Sequence, residues 1–140
     1  YYSTMELSDL RKLPVGDFCS DNCVLFLWCV DPMLPQAISL ISDWGFTYKT
    51  VGFYWVKTNK KSDKFFTGLG YWTRAKGKPQ RLNRDVPRLI VSKRREHSRK
   101  PDEIYERIER LVPGEYLEMF SRTDRDGWDT WGNETGRWKA

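Results

Sequence analysis

Residues 24–57 read VLFLWCVDPMLPQAISLISDWGFTYKTVGFYWVK, and this stretch decides the fold. Its first part, VLFLWCV at 24–30, is a short continuous apolar run with β-branched and aromatic members, which predicts a buried strand. In residues 34–44, Ala37, Ile38, Leu40, Ile41 and Trp44 recur at helical spacing. Pro35 suits the first turn of that helix, and Gly45 sits just past its end, where a left-handed residue is wanted. Residues 49–57, KTVGFYWVK, read as a second strand. Strand, helix and strand joined by short connections make a βαβ unit, which predicts parallel neighbours.

The alternation continues downstream. Residues 88–92, RLIVS, predict a strand, and 101–111 a helix with Ile104, Ile108 and Leu111 on one face. Pro101, Asp102 and Glu103 suit its start by geometry and dipole, and Pro113-Gly114 stops it. Residues 116–120, YLEMF, predict the next strand, and 128–132 a short strand or turn. Alternation of this kind predicts an α/β fold with a doubly wound, mostly parallel sheet. Residues 58–87 show little periodicity and read as an unusually long irregular stretch, which suits a functional loop or a place where residues are missing.

The 140 residues fit one domain of globular composition, with 39% hydrophobic and 31% charged side chains. No apolar run approaches a membrane span, and YYSTMELSDL lacks the pattern of a signal peptide. Cys19, Cys23 and Cys29 are odd in number and have no Cys or His cluster to complete a zinc site. They read as reduced thiols, and the expected location is the cytoplasm. The net charge is +5, unevenly distributed: residues 57–100 carry 15 Lys and Arg against three acidic residues, a net of +12. The remainder is acidic. A basic block interleaved with Phe65, Phe66, Tyr71 and Trp72 suits phosphate contact and base stacking, so nucleic acid is the expected partner.

No nucleophile elbow, Walker-type phosphate loop or dinucleotide fingerprint is present. His97 is the single histidine and makes no metal site by itself. Residues 94–102, RREHSRKPD, leave a strand and enter a helix, at the sheet edge where α/β proteins bind ligands. Residues 120–134, FSRTDRDGWDTWGNE, also follow a strand and are dense in polar, aromatic and glycine residues. There Asn133 and Glu134 suit a ribose or an amino-acid moiety, although Gly-Asn is also an ordinary turn pair.

Together these segments resemble the MT-A70 family. The matching stretches are VLFLW (24–28), WVKTNKK (55–61), TGLGYWTR (67–74), KGKPQRLNRDV (76–86), HSRKPDEIYERIERLVPG (97–114) and WDTWGNE (128–134). They occur in family order over nearly the whole chain, in a style closer to bacterial and phage members than to the eukaryotic mRNA enzymes. The resemblance implies a Rossmann-like fold and methyl transfer from S-adenosylmethionine to adenine N6 in nucleic acid, DNA in preference to RNA. It implies that Lys100, Phe120, Arg122, Asn133 and Glu134 contact the cofactor, with Asn133 and Glu134 on the ribose hydroxyls. Glu134 stands where the eukaryotic enzyme has Gln. It further implies that Lys57, Asn59, Tyr71, Trp72, Arg95, His97 and Ser98 lie in or near loops facing the substrate. No metal is expected. A homodimer, or a heterodimer with a second MT-A70-like subunit, is compatible with the pattern.

Two departures accompany the resemblance. The family's catalytic Asp-Pro-Pro-Trp is not among the 140 residues, and its expected position is upstream of Tyr1. Asp31-Pro32-Met33 is not a substitute, because it directly follows the 24–28 strand, where the family carries a different turn. Between Ala75 and Lys76 the family usually has about ten further residues, including an apolar strand. The domain is therefore expected to lack its N-terminal strand and this internal segment. The alternative function is a non-catalytic, nucleic-acid-binding partner subunit.

Overall fold

The computed structural model describes residues 5–61 and 72–140; for residues 72–76 the description is of the backbone. The chain divides into two compact units, Tyr1–Gln80 with Pro87–Lys93, and Arg81–Val86 with Arg94–Ala140.

The first unit opens with helix α1 (Leu7–Lys12) and strand β1 (Cys23–Leu27), followed by helix α2 (Leu34–Asp43). The helix ends as its sequence dictates. Trp44 caps it, and Gly45 takes a φ of 83°, the left-handed conformation that lets the chain turn away. Leu40, Ile41, Trp44 and Phe46 are buried, and the Trp44 indole N–H donates to the Leu10 carbonyl at 2.9 Å. Arg11 pairs with Asp43, which ties α1 to the end of α2. The predicted strand at 24–30 is shorter than expected and half-buried. Trp28 to Val30 leave it, and Cys29 is its buried neighbour.

The predicted strand at 49–57 is in fact two, β2 (Thr47–Thr50) and β3 (Tyr54–Thr58). Between them Val51 and Phe53 are buried on either side of Gly52, outside both strands. Strand β4 (Trp72–Lys76) lies in the stretch expected to be irregular. It inserts between β1 and β2, antiparallel to both, giving the order β1-β4-β2. The expected parallel neighbours β1 and β2 are therefore parallel but not adjacent. WTRAK has no apolar alternation, which is why the sequence did not announce it. Strand β5 (Leu89–Lys93) pairs in parallel with β3, matching Trp55 to Ile90, and Ile90 is fully buried.

The second unit is built on helix α3 (Glu103–Leu111), which buries Ile104 and Ile108 as the spacing predicts and Tyr105 beside them, while Leu111 is half-buried. Strand β6 (Tyr116–Met119) follows, then β7 (Thr123–Asp124), β8 (Trp128–Trp131) and β9 (Trp138–Lys139). β6 pairs with β8 and β7 with β9, both in parallel. Trp128 is the packing centre: Tyr116 stacks on it at 4.9 Å between ring centroids and Tyr105 meets it edge-on at 5.0 Å. Its indole N–H donates to Glu109 at 2.8 Å, and Arg125 donates to both oxygens of that carboxylate. These donors, Arg125 first, hold the Glu109 carboxyl below its ordinary range despite partial burial. The chain is thus mixed α/β with short parallel pairs. Its described strands form one three-stranded and three two-stranded sheets instead of the single doubly wound sheet that was expected.

Ile108→Ala removes a buried side chain of α3 and is expected to lower unfolding stability by about 2–5 kcal/mol. Chemical denaturation measures this directly, and a midpoint equal to that of wild type would mean that α3 does not pack as described.

Candidate functional site

The C-terminal ends of β6 and β8 bring together several of the residues expected at the site. Parallel strands bind ligands at this end, where chain reversals leave backbone and side chains open. Phe120 ends β6 in a left-handed conformation, with φ 57°, which is uncommon for a bulky residue. The turn is held by Ser121, whose backbone N–H donates to the Trp131 carbonyl at 3.1 Å. It directs the Phe120 ring outward, 48% exposed, against Trp131, which is 41% exposed. The two rings meet edge-on at 5.2 Å. Gly132 follows with φ 145°, and a Cβ there would lie 3.1 Å from the Phe120 Cα. Glycine takes that backbone without strain and makes that approach without crowding Phe120. Asn133, exposed, and Glu134, half-exposed, come next.

Arg122 leaves the same turn and reaches back to the preceding loop. Its guanidinium donates to the His97 carbonyl at 2.6 Å, and its Nε lies 4.0 Å from Glu134. Lys100 closes the other side of that loop, donating to the Ser98 carbonyl at 2.8 Å and approaching the Ser98 hydroxyl at 3.3 Å. Ser98 itself has φ 61°. Two cations thus cap the carbonyls of a strained turn. Lys100, Phe120, Arg122, Asn133 and Glu134 all belong to this unit, as do Arg95, His97 and Ser98. Arg95 is engaged with Asp102 at 2.7 Å. Arg99, expected near the open edge with Arg94 and Arg95, is instead buried and paired with Glu96 at 3.2 Å.

The other expected substrate residues belong to the first unit. Lys57 and Asn59 are half-buried at and just beyond the end of β3, with the Lys57 ammonium 4.7 Å from the Trp55 ring centroid. Trp72 begins β4, and Tyr71 lies outside the described residues, as do Lys64, Phe65 and Phe66. Of the basic block, Lys60, Lys61, Lys78, Arg81, Arg84, Arg88, Lys93 and Arg94 are exposed.

The sequence reading did not single out Glu118. It lies on β6 just behind the aromatic pair and accepts from the Tyr105 hydroxyl at 2.8 Å, with the Ser121 hydroxyl at 3.1 Å. Burial pushes its carboxyl above the ordinary range; the hydrogen bonds from Tyr105 and Ser121 and the charge of Lys100 oppose this. Burial and the neighbouring Glu118 likewise raise the Tyr105 phenol. A Glu at an inward position of a short strand was the available signal, but YLEM also reads as simple alternation.

As a set these groups suit S-adenosylmethionine. Open aromatic surface suits an adenine ring, Asn133 and the Glu134 carboxylate suit ribose hydroxyls, and Lys100 suits a carboxylate. Glycine at 132 keeps the approach to the strand end clear.

Comparison with known proteins gives the class first: the similar proteins are methyltransferases by name. The chain belongs to the MT-A70 family, whose model matches residues 1–134. It is 34% identical over 138 residues to the type II methyltransferase M.MunI of a Mycoplasma species, covering 95% of this chain and 59% of that protein. It is 35% identical over 147 residues to the N(6)-adenosine-methyltransferase subunit METTL3 of Danio rerio. To the human METTL3 catalytic subunit it is 33% identical over 147 residues. Each of these two matches covers 95% of this chain and 25% of the relative.

Glu118 makes stability depend on pH with a definite sign. Its folded pKa is raised, so its contribution is fully present below the unfolded value of 4.5 and is lost as pH rises through the folded one. Glu118→Gln is expected to flatten that fall, gaining stability relative to wild type as pH climbs above 4.5. Denaturant titrations across pH 4 to pH 8 test this; parallel curves for both proteins would mean that Glu118 is not buried as described.

Proposed function

We propose that this chain is part of an S-adenosylmethionine-dependent methyltransferase that modifies adenine N6 in nucleic acid, DNA in preference to RNA. The observation that carries the reading is the ledge at the ends of β6 and β8, where Phe120 and Trp131 meet edge-on and Asn133 and Glu134 follow Gly132. Family membership and the names of the relatives support the same reaction. Its bacterial and phage-like style supports DNA. We assign Asn133 and Glu134 to the ribose hydroxyls, Phe120 to the face of the adenosine, and Lys100 and Arg122 to the polar tail and its surroundings. When bound, the cofactor supplies a methyl group on a sulfonium centre.

The chain's own part is to bind and orient. Rate in such a transfer comes from alignment and electrostatics, because N6 is a weak nucleophile whose lone pair is delocalised into the ring. A duplex target must be flipped out of its stack. His97, Ser98 and Arg95 form the substrate side of the second unit in this reading, and Lys57, Asn59, Tyr71 and Trp72 that of the first. Asp-Pro-Pro-Trp is not among residues 1–140, and no residue of this chain is assigned to holding N6. The complete domain in this reading has a Rossmann-like sheet, and a second MT-A70-like subunit is a compatible partner. No helix of the described residues is long and apolar enough to cross a membrane.

Replacing Asn133 and Glu134 together by Ala in the full-length protein is expected to weaken S-adenosylmethionine binding by about 1–3 kcal/mol, through lost buried hydrogen bonds. Isothermal titration calorimetry checks this, and unchanged affinity in a folded variant removes the assignment. Neutralising Lys60, Lys61, Lys64 and Lys78 is expected to weaken oligonucleotide binding and flatten its salt dependence by up to about 3 units of log–log slope, leaving cofactor affinity alone. Fluorescence anisotropy against salt measures it; an unaltered slope would make the basic block a solvated surface.

A further inference from the structure

Trp138 lies beyond the last residue matched by the family model. Nevertheless three guanidinium groups converge on it. The ζ carbons of Arg122, Arg99 and Arg137 lie 4.6, 4.7 and 5.3 Å from its ring centroid. Three like charges around one ring repel one another, and each is also attracted to the ring face. Their carboxylate partners offset the repulsion: Glu96 with Arg99 at 3.2 Å, and Glu134 with Arg137 at 3.3 Å and Arg122 at 4.0 Å. The ring's own position is fixed by the backbone. β9 pairs with β7, matching Trp138 to Thr123, and the Trp138 N–H donates to the Arg122 carbonyl at 2.9 Å.

Two of these arginines lead to the same turn. Arg122 holds the His97 carbonyl at 2.6 Å. Arg99 follows the turn directly, and its backbone N–H donates to the Glu96 carbonyl at 3.0 Å. Between these fixed points Ser98 is kept at φ 61°, a conformation that costs a residue bearing a side chain and persists only where its surroundings impose it. A planar guanidinium on an aromatic face keeps its edge free to donate hydrogen bonds, so the ring orients Arg122 without consuming its donors.

We propose that Trp138 is a positioning residue: through Arg122 and Arg99 it locks the His97–Ser98 turn in the shape that receives the target nucleotide. The role assigned to the turn rests on the reaction proposed above, but the lock itself does not. Trp138 thereby couples the cofactor side of the unit to the substrate side. Arg122 and Glu134 belong to the first, and His97 and Ser98 to the second.

The test uses the full-length protein with Trp138→Leu, Trp138→Phe and Arg122→Lys. Hydrogen exchange at the Arg99 amide reads closure of the turn, while amides in α3 report on the surrounding fold. Trp138→Leu is expected to speed exchange at Arg99 at least 10-fold with α3 unchanged, and Trp138→Phe to restore most of the protection. Arg122→Lys, which keeps the charge but loses the planar fork, is expected to loosen the turn like Trp138→Leu. In methylation assays Trp138→Leu is expected to lower kcat and raise KM for an adenine-containing oligonucleotide at least 5-fold. Unchanged exchange at Arg99, or equal acceleration in α3, overturns the lock. Loosened exchange in a protein whose wild type transfers no methyl group leaves the lock standing and overturns the reaction instead.

Discussion

The close approach of Gly132 to the backbone of Phe120 is the constraint on which the candidate site depends. Parallel β6 and β8 end side by side, and the Ser121 N–H closes the pair onto the Trp131 carbonyl. A Cβ at 132 would lie 3.1 Å from the Phe120 Cα, so the strand ends would have to give by a few tenths of an ångström, and at φ 145° the side chain would be strained as well. A permissive residue at 132 therefore keeps the turns after Phe120 and Trp131 at their present spacing.

Electrostatics gives the unit its second layer of order. Charges here are seldom left to solvent: Glu109 takes three donors from Arg125 and Trp128, and Glu134 lies between Arg122 and Arg137. Surface pairs of this kind contribute little individually to stability. Their value lies in orientation, since a guanidinium that is stacked and paired presents its remaining donors in one direction. Glu118 is the exception. It is half-buried beside Tyr105 and Ser121 with its carboxyl pushed above the ordinary range, so the strand behind the aromatic ledge carries a titratable group whose ionisation opposes the fold.

The sequence was legible where burial and capping act locally. Helices α2 and α3 follow from the spacing of Leu40 and Ile41, and of Ile104 and Ile108, and Gly45 and Pro113-Gly114 mark their ends. Pairing was not legible, because it depends on partners remote in sequence. β4 carries no apolar alternation and gains its place only by lying between β1 and β2. β2 and β3 read as one strand, yet β2 pairs with β4 and β3 with β5, partners remote in sequence. In the candidate site, residue types suggested Asn133, Glu134, Arg122 and Lys100. The links from Arg122 to His97 and to Trp138 join positions 25 and 16 residues apart, and no local pattern encodes them. Arg99 was expected near the open edge in RREHSRKPD, and its guanidinium is buried against Trp138.

The central claim is a transfer of one methyl group to one atom, and product chemistry tests it most directly. The full-length protein is incubated with S-adenosylmethionine carrying an isotopically labelled methyl group and an adenine-containing DNA duplex, with an RNA of the same sequence in parallel. Both are then digested to nucleosides and analysed by mass spectrometry. The account predicts label in N6-methyldeoxyadenosine, with less or none in the RNA. Label on cytosine or on another adenine position, or no label from a protein that binds both cofactor and DNA, would contradict it.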